Sequence, residues 1–295
     1  MRGLMMDSQL TLTAFFTRAE QLFATHPLVW READRSVTRS TYGRWAHRTR
    51  RLMSALRALG IQPGDRVATL AWNNGPHFEA YFAIPGIGAV LHTLNLRLSP
   101  EEIAYCVTHA ADRVVLVDLS LLPLWQKVAP LVQVEHVFVM SGAAPEGFAD
   151  YEALLAAHEP LTDLPALDEQ SAAAMCYTTG TTGHPKGVVY SHRSLVLHTL
   201  AVSLPDCAGL SEDTVLLPIV PMFHVNAWGL PFAAAMTGCT LVMPGPYLDP
   251  ENLLHLIETE GVTVAGGVPT VAMGLLAALD TGPARRIGAW RTMLC

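Results

Sequence analysis

Phe15, Phe16, Ala19, Leu22 and Phe23 recur at helical spacing, which predicts an amphipathic helix closed by His26-Pro27, then extended chain to about residue 40. From Thr41 the pattern alternates between helix and strand. Tyr42, Trp45, Leu52, Met53, Leu56 and Leu59 mark one helix face that Gly60 ends, and Arg44, Arg48, Arg50 and Arg51 on its other side are expected to form a solvated basic face. Pro63-Gly64-Asp65 is a turn into a buried strand over 66–72. Ser99-Pro100-Glu101-Glu102 combines a capping serine, a proline suited to the first helical position and a glutamate able to close a capping box, so a helix is expected to about Ala110. Strands follow over 114–117 and 136–140, with a helix over 121–132 between them.

Residues 141–168 are rich in Ala, Pro, Gly and acid and read as a surface connection with one short helix near 151–158. This divides the chain into an N-terminal α/β subdomain, 1–168, and a second subdomain, 169–295. In the second, strands are predicted over 173–178, 188–190, 215–219, 240–243 and 262–265, helices over 193–204, 250–259 and 270–279, and a last strand beginning in 290–295. Alternation of this kind predicts an α/β fold of mainly parallel sheets layered with helices.

Composition narrows the function. The chain has 295 residues, 51% hydrophobic and 15% charged; its mean hydropathy is +0.29, which excludes a disordered chain. A net charge of −7 leaves no general basic footprint for nucleic acid. Two stretches, 214–248 and 261–279, lack charged residues, but Pro218, Pro221, Pro231, Pro244 and Pro246 in the first and Gly266, Gly267, Pro269 and Gly274 in the second argue for buried strands and turns rather than membrane spans. Five cysteines without a CxxC pair point to a reduced, cytoplasmic compartment and away from structural zinc.

The chemistry concentrates in Tyr177-Thr178-Thr179-Gly180-Thr181-Thr182-Gly183-His184-Pro185-Lys186-Gly187. Glycines let backbone amides approach an anion, hydroxyls add donors without bulk, and lysine adds a point charge suited to polyphosphate. Lys186 is one of only two lysines in the chain, with Lys127. The spacing is not that of a Walker A loop, which needs G-x-x-x-x-G-K-[ST] opening a helix. Here Pro185 precedes the lysine and β-like Val188-Val189-Tyr190 follows, so a strand–loop–strand phosphate cradle is expected. An ordinary Gly/Thr hairpin with an exposed lysine is the plainer alternative.

TTGTTGHPKGVVYSH resembles the signature loop of the adenylate-forming acyl-CoA synthetases, the AMP-binding family. Pro221-Met222-Phe223-His224-Val225-Asn226-Ala227-Trp228-Gly229 is similar to that family's second core motif, and Gly261-Val262-Thr263 with Gly267-Val268-Pro269-Thr270 to the strand and turn lining its acyl pocket. Tyr81 to Pro100 matches a family helix and the loop after it. The similarity is greatest to bacterial medium- and long-chain fatty-acid–CoA ligases.

The resemblance implies the large N-terminal domain of the adenylate-forming fold and a two-step reaction using ATP, Mg²⁺ and coenzyme A. A carboxylate attacks the α-phosphate with loss of pyrophosphate, and CoA then displaces AMP. By it, Thr178, Thr179, Gly180, Thr181, Thr182, Gly183 and Lys186 would embrace the departing phosphates, with Thr178 the Mg²⁺ ligand. His224 would sit beside the α-phosphate and carboxylate; as an isolated histidine it could equally be structural. Val225 and Trp228 would contact nucleotide, Trp228 would also gate the acyl tunnel, and Gly267, Val268 and Pro269 would shape the acyl pocket. A homodimer through the N-terminal region is implied, with fatty acid, ATP and CoA as small-molecule partners. Family motifs GG-x-x-P and Y-G-x-T-E, a ribose-binding aspartate and a C-terminal lid domain with its lysine do not occur in this chain. The expectation is therefore an incomplete ligase without the full reaction on its own. A non-catalytic nucleotide- or acyl-binding module, or a ligase for another carboxylic acid, is the alternative.

Overall fold

The computed structural model describes residues 3, 5–178 and 183–295. The chain runs α1 (Leu12–Leu22), β1 (Pro27–Arg31), β2 (Val37–Thr41), α2 (Tyr42–Ala58), β3 (Arg66–Leu70), α3 (Gly75–Gly86), β4 (Val90–Thr93) and α4 (Pro100–Ala110). It continues through β5 (Asp112–Asp118), α5 (Leu122–Val128), β6 (His136–Met140), β7 (Ala149–Asp150), α6 (Tyr151–Ala156), β8 (Ala172–Thr178), β9 (Lys186–Ser191) and α7 (His192–Val202). The last third holds β10 (Val215–Pro218), α8 (Leu230–Thr237), β11 (Thr240–Met243), α9 (Pro250–Glu260), β12 (Val264–Gly266), α10 (Pro269–Thr281) and β13 (Thr292–Leu294).

Two sheets form, in the orders β7-β6-β5-β3-β4-β8-β9 and β13-β12-β10-β11-β1-β2. All pairings are parallel except β1–β2 and β8–β9. The inner strands of both sheets are buried on both faces, which is why β3, β5 and β8 read as nearly continuous apolar runs, while the edge strands β2 and β9 are largely open to solvent. Successive residues feed different cores: Leu28, Leu216 and Leu241 face a central layer of α1, α2, α3, α7 and α8, while Val29, Leu217 and Val242 face α9 and α10. In the other sheet, Val67, Val114 and Leu116 face the same central layer, and Ala68, Val115 and Val117 face α4 and α5. The result is a stack of five layers. Trp45 lies flat on Phe78 at 4.8 Å in the middle of it.

Local signals set several boundaries. Ser99 accepts from the Glu102 amide at 3.2 Å and the Glu102 carboxylate accepts from the Ser99 amide at 2.9 Å, completing the capping box of α4. Asp249 caps α9 and Gly261 ends it in a left-handed conformation. The helix expected over 121–132 is shorter: 3-10 turns over Leu119–Leu121 and Ala129–Leu131 flank α5, and Pro130 lies in the second.

Two sequence expectations are revised. Strands from both sides of residue 168 share each sheet, because β8 lies beside β4 and β1 beside β11, so the layers are interleaved along the chain. The basic side of α2 is not simply solvated: Arg48 pairs with Glu79 at 2.5 Å and Glu152 at 2.6 Å, and Arg50 with Glu20 at 2.7 Å. Glu79 is buried, which pushes its carboxyl up, and it also accepts from the Tyr151 hydroxyl at 2.6 Å. Among the described residues no helix is long and apolar enough to cross a membrane.

Candidate functional site

The glycine- and threonine-rich segment joins β8 to β9, which run antiparallel with Thr178 opposite Lys186. It is therefore a strand–loop–strand hairpin, as Pro185 and the β-branched residues after Lys186 require, and does not open a helix. Thr178, Gly183 and Lys186 are exposed at its base, while Thr179, Gly180, Thr181 and Thr182 lie outside the described residues. Among the described residues, β9 is the sheet edge and pairs with β8 alone. Tyr177 lies against Gly187, where a Cβ would come within 3.1 Å of the Tyr177 Cζ. Burial pushes the Tyr177 phenol up to about 12, and its hydroxyl is 2.7 Å from His109 Nδ1 on α4.

The segment after β10 is tied to the carboxyl ends of β3 and β4. The Asn73 side-chain amide donates to Pro218 O at 2.8 Å and Val220 O at 3.0 Å, and its oxygen accepts from Met222 N at 2.7 Å. Tyr81 donates its hydroxyl to Met222 O, and Thr93 donates to Phe223 O at 3.5 Å. His224 follows, exposed, its imidazole held below its ordinary value by desolvation and then by the Arg97 charge. Arg97 also sits 5.8 Å above the Phe223 ring.

Val225, Asn226, Ala227, Trp228 and Gly229 all adopt positive φ, from 47° to 71°. Left-handed backbone costs a non-glycine residue about 1–2 kcal/mol, so this turn must be held by its surroundings. His198 Nε2 of α7 lies 3.0 Å from Trp228 O, and the turn packs against β8. Between the turn, β9 and α7 lies a cavity of about 310 Å³ lined by Tyr190, Leu195, His198, Val225, Asn226 and Trp228, among others. The Asn226 side chain is buried there, and neither of its amide atoms is bonded among the described residues. A mainly apolar cavity with a few unmatched polar atoms is the usual form of a small-molecule site.

Thr178 and Lys186 thus share the base of the hairpin, while His224, Val225 and Trp228 lie in or beside the turn packed on β8. Gly267, Val268 and Pro269 follow the carboxyl end of β12, beside the segment after β10: Gly266 O accepts from Ile219 N at 2.7 Å and Val220 N at 2.8 Å. Gly267 donates its amide to Leu294 O at 2.9 Å, a Cβ on it would come within 3.0 Å of Met293 Cε, and Val268 and Pro269 are exposed at the start of α10. None of the three lines the 310 Å³ cavity. Asn73, Tyr81, Arg97 and His198 were not anticipated; only the capacity of a buried amide to bridge two segments could have marked Asn73. A second cavity of about 540 Å³ lies beyond the carboxyl ends of β3 and β6, lined by Trp30, Arg44, Gly75, Glu79 and Ser141, with no predicted site residue in it.

Among the described residues no three His, Cys, Asp or Glu side chains converge. Thr178 would offer Mg²⁺ only a hydroxyl, and the remaining oxygens would have to come from substrate phosphate and water.

Residues 16–295 match the family model described as AMP-binding enzyme. A long-chain-fatty-acid–CoA ligase of Thermus thermophilus is 53% identical over 94% of this chain and 51% of its own length. A 3-methylmercaptopropionyl-CoA ligase of Ruegeria lacuscaerulensis is 46% identical over 94% of this chain and 53% of its own. The chain spans about half the length of these relatives. The crystal structure of a long-chain-fatty-acid–CoA ligase from Archaeoglobus fulgidus superposes with a TM-score of 0.85 at 20% identity, over 96% of this chain and 56% of that one. That likeness establishes the fold.

Proposed function

This chain belongs to the AMP-binding enzyme family, and on that premise we propose that it carries the phosphate-gripping and acyl-binding part of an ATP-dependent fatty-acid–CoA ligase. The observation that carries the reading is the β8–β9 hairpin, whose base pairs Thr178 with Lys186 in register. The proposed reaction runs in two displacements. A carboxylate oxygen attacks the α-phosphorus of ATP and the bond to pyrophosphate breaks; the CoA thiolate then attacks the acyl carbon and AMP leaves.

Positioning and neutralisation of developing phosphate charge are the protein's main tasks in the first step. Thr178, Thr179, Gly180, Thr181, Thr182, Gly183 and Lys186 are assigned to the departing phosphates, and His224, whose depressed pKa favours neutral imidazole, to the α-phosphate and carboxylate. Val225 and Trp228 are assigned to nucleotide and, through the apolar cavity they line, Trp228 also to acyl chain. Gly267, Val268 and Pro269 remain assigned to the acyl pocket. The 53% identity to a long-chain ligase supports fatty acid over other acids. A cytoplasmic homodimer associating through its N-terminal region belongs to the same reading.

Calorimetric titration of the 295-residue chain with ATP, palmitate, benzoate and 3-methylmercaptopropionate tests it. Binding of ATP and of palmitate is expected, with ATP binding weakened in Lys186→Ala. No ATP binding by the folded chain would sink the reading; tighter binding of either smaller acid than of palmitate would overturn its fatty-acid part. Light scattering that gave the mass of one chain would remove the dimer.

A further inference from the structure

The phosphate-loop hairpin is an edge structure: among the described residues β9 pairs only with β8, and Lys186, Gly187, Val188 and Val189 are all exposed. A two-stranded projection of this kind has little of its own to fix where its tip points. Residues on both sides of its loop nevertheless meet one face of α4. The His184 ring, two residues before Lys186, stacks on Tyr105 with centroids 4.5 Å apart and planes 18° from parallel. Tyr105 in turn stacks on His109, one helical turn later, at 5.3 Å and 25°. His109 Nδ1 meets the Tyr177 hydroxyl at 2.7 Å, one residue before Thr178. Tyr177 itself lies against Gly187 of the opposite strand. The four rings form a ladder, His184–Tyr105–His109–Tyr177, that starts on β9's approach and ends on β8.

The helix at the centre of this ladder is well anchored. Its capping box is complete, and Ile103, Ala104, Cys106, Val107 and Ala110 are buried against the sheet. Tyr105 and His109 therefore stand on a rigid element and touch the hairpin on either side of the loop, while neither lines the cavity beside Trp228.

We propose that Tyr105 and His109 are positioning residues that clamp both roots of the phosphate loop, setting its grip on the β- and γ-phosphates of ATP. This rests on the nucleotide reading above. The clamp acts on the loop alone, so it distinguishes ligands by their phosphate tail. Removing it weakens ATP and inorganic pyrophosphate and spares AMP, a split that a general loss of structure would not produce.

Calorimetry on the 295-residue chain with ATP, pyrophosphate and AMP provides the test, using Tyr105→Ala, Tyr105→Phe, His184→Ala and the Tyr105→Ala/His184→Ala double variant. An aromatic stack of this geometry corresponds to about three- to tenfold in affinity, so Tyr105→Ala is expected to weaken ATP and pyrophosphate by that factor and leave AMP within about twofold. Tyr105→Phe keeps the stack and should retain wild-type affinity. His184→Ala should match Tyr105→Ala, and the double variant should lose no more than either single one. Should Tyr105→Ala fail to fold, His184→Ala removes the same stack from the exposed side and carries the test. Unchanged ATP and pyrophosphate affinity in a folded stack-breaking variant, or an equal loss for AMP, overturns the clamp. An unsubstituted chain that binds neither ATP nor pyrophosphate refutes the nucleotide reading itself, and the clamp falls with it.

Discussion

Asn73 makes the joint between the two sheets at the site, and its replacement offers a calculable perturbation. The residue is 3% exposed. Two carbonyls, Pro218 O and Val220 O, face its amide nitrogen, and one amide, Met222 N, faces its oxygen, so only one orientation of the side chain satisfies all three. Asn73→Ala strips those groups of their partner in a buried setting. Each unpaired group costs about 1–3 kcal/mol, and water entering the void left by the amide recovers part, so a net loss of about 3 kcal/mol is expected. Asn73→Asp has nearly the same shape and keeps the acceptor for Met222. It also turns a carboxylate oxygen toward two carbonyl oxygens, so at neutral pH it should be worse than alanine despite filling the space. Protonation supplies one donor, so the aspartate variant should regain stability relative to wild type as pH falls. Urea unfolding followed by tryptophan fluorescence, at pH 7 and pH 5, measures all of this. If Asn73→Asp were as stable as wild type at pH 7, or more stable than Asn73→Ala, the joint would not work by hydrogen bonding and the argument would be wrong.

Two further outcomes follow from other parts of the chain. Burial holds His77 and His192 neutral down to about 4, against an ordinary 6.5. The unfolded chain takes up these protons first on acidification, so their contribution is complete above 6.5 and is lost between 6.5 and about 4, at roughly 1.4 kcal/mol per pH unit for each histidine. The raised carboxyls of Glu79 and Asp118 work in the opposite sense at the acid end. Unfolding free energy should therefore fall from pH 7 to pH 5, and more weakly in His77→Gln; a flat profile would contradict the burial argument. At Gly229, φ is +71° and a Cβ would meet His198 Cδ2 at 2.8 Å, whereas at Gly60, φ +81°, it would meet nothing within 4 Å. Gly60→Ala should cost about 1 kcal/mol and Gly229→Ala clearly more, with the cavity beside Trp228 disturbed; equal losses by urea unfolding would show that His198 does not confine the turn.

Where the sequence was legible, a local interaction made it so. The capping box at Ser99–Glu102 needs only four consecutive residues, and the strand character after Lys186 needs only Pro185 and the valines beyond it. α3 and α8 gave no period because neither has a wet face: every residue of α3 is buried, as are the first six of α8. The left-handed turn at 225–228 was invisible because four non-glycine residues carry no signal for positive φ, and what holds them comes from α7 and β8. The basic side of α2 was misread for a related reason. Its carboxylate partners, Glu20, Glu79 and Glu152, lie 30 to 104 residues away along the chain. The hairpin could be read from residue type, and His224 and Trp228 were expected only through the resemblance of the motif around them, whereas Asn73 and the ring ladder on α4 depend on contacts between elements distant in sequence.

The interleaving of the sheets also sets a schedule for synthesis. β1 and β2 emerge early, yet β1's parallel neighbour in the sheet, β11, ends at Met243. At about 5–20 residues per second, the first hairpin leaves the ribosome roughly 10–40 s before the strand it must lie beside. Until then, the apolar faces of Leu28 and Val29 have no sheet to cover them and the outer edge of β1 has no ladder. Such a nascent chain should depend on holdase chaperones during that interval, and a translational pause before β11 should raise its aggregation more than a pause after it.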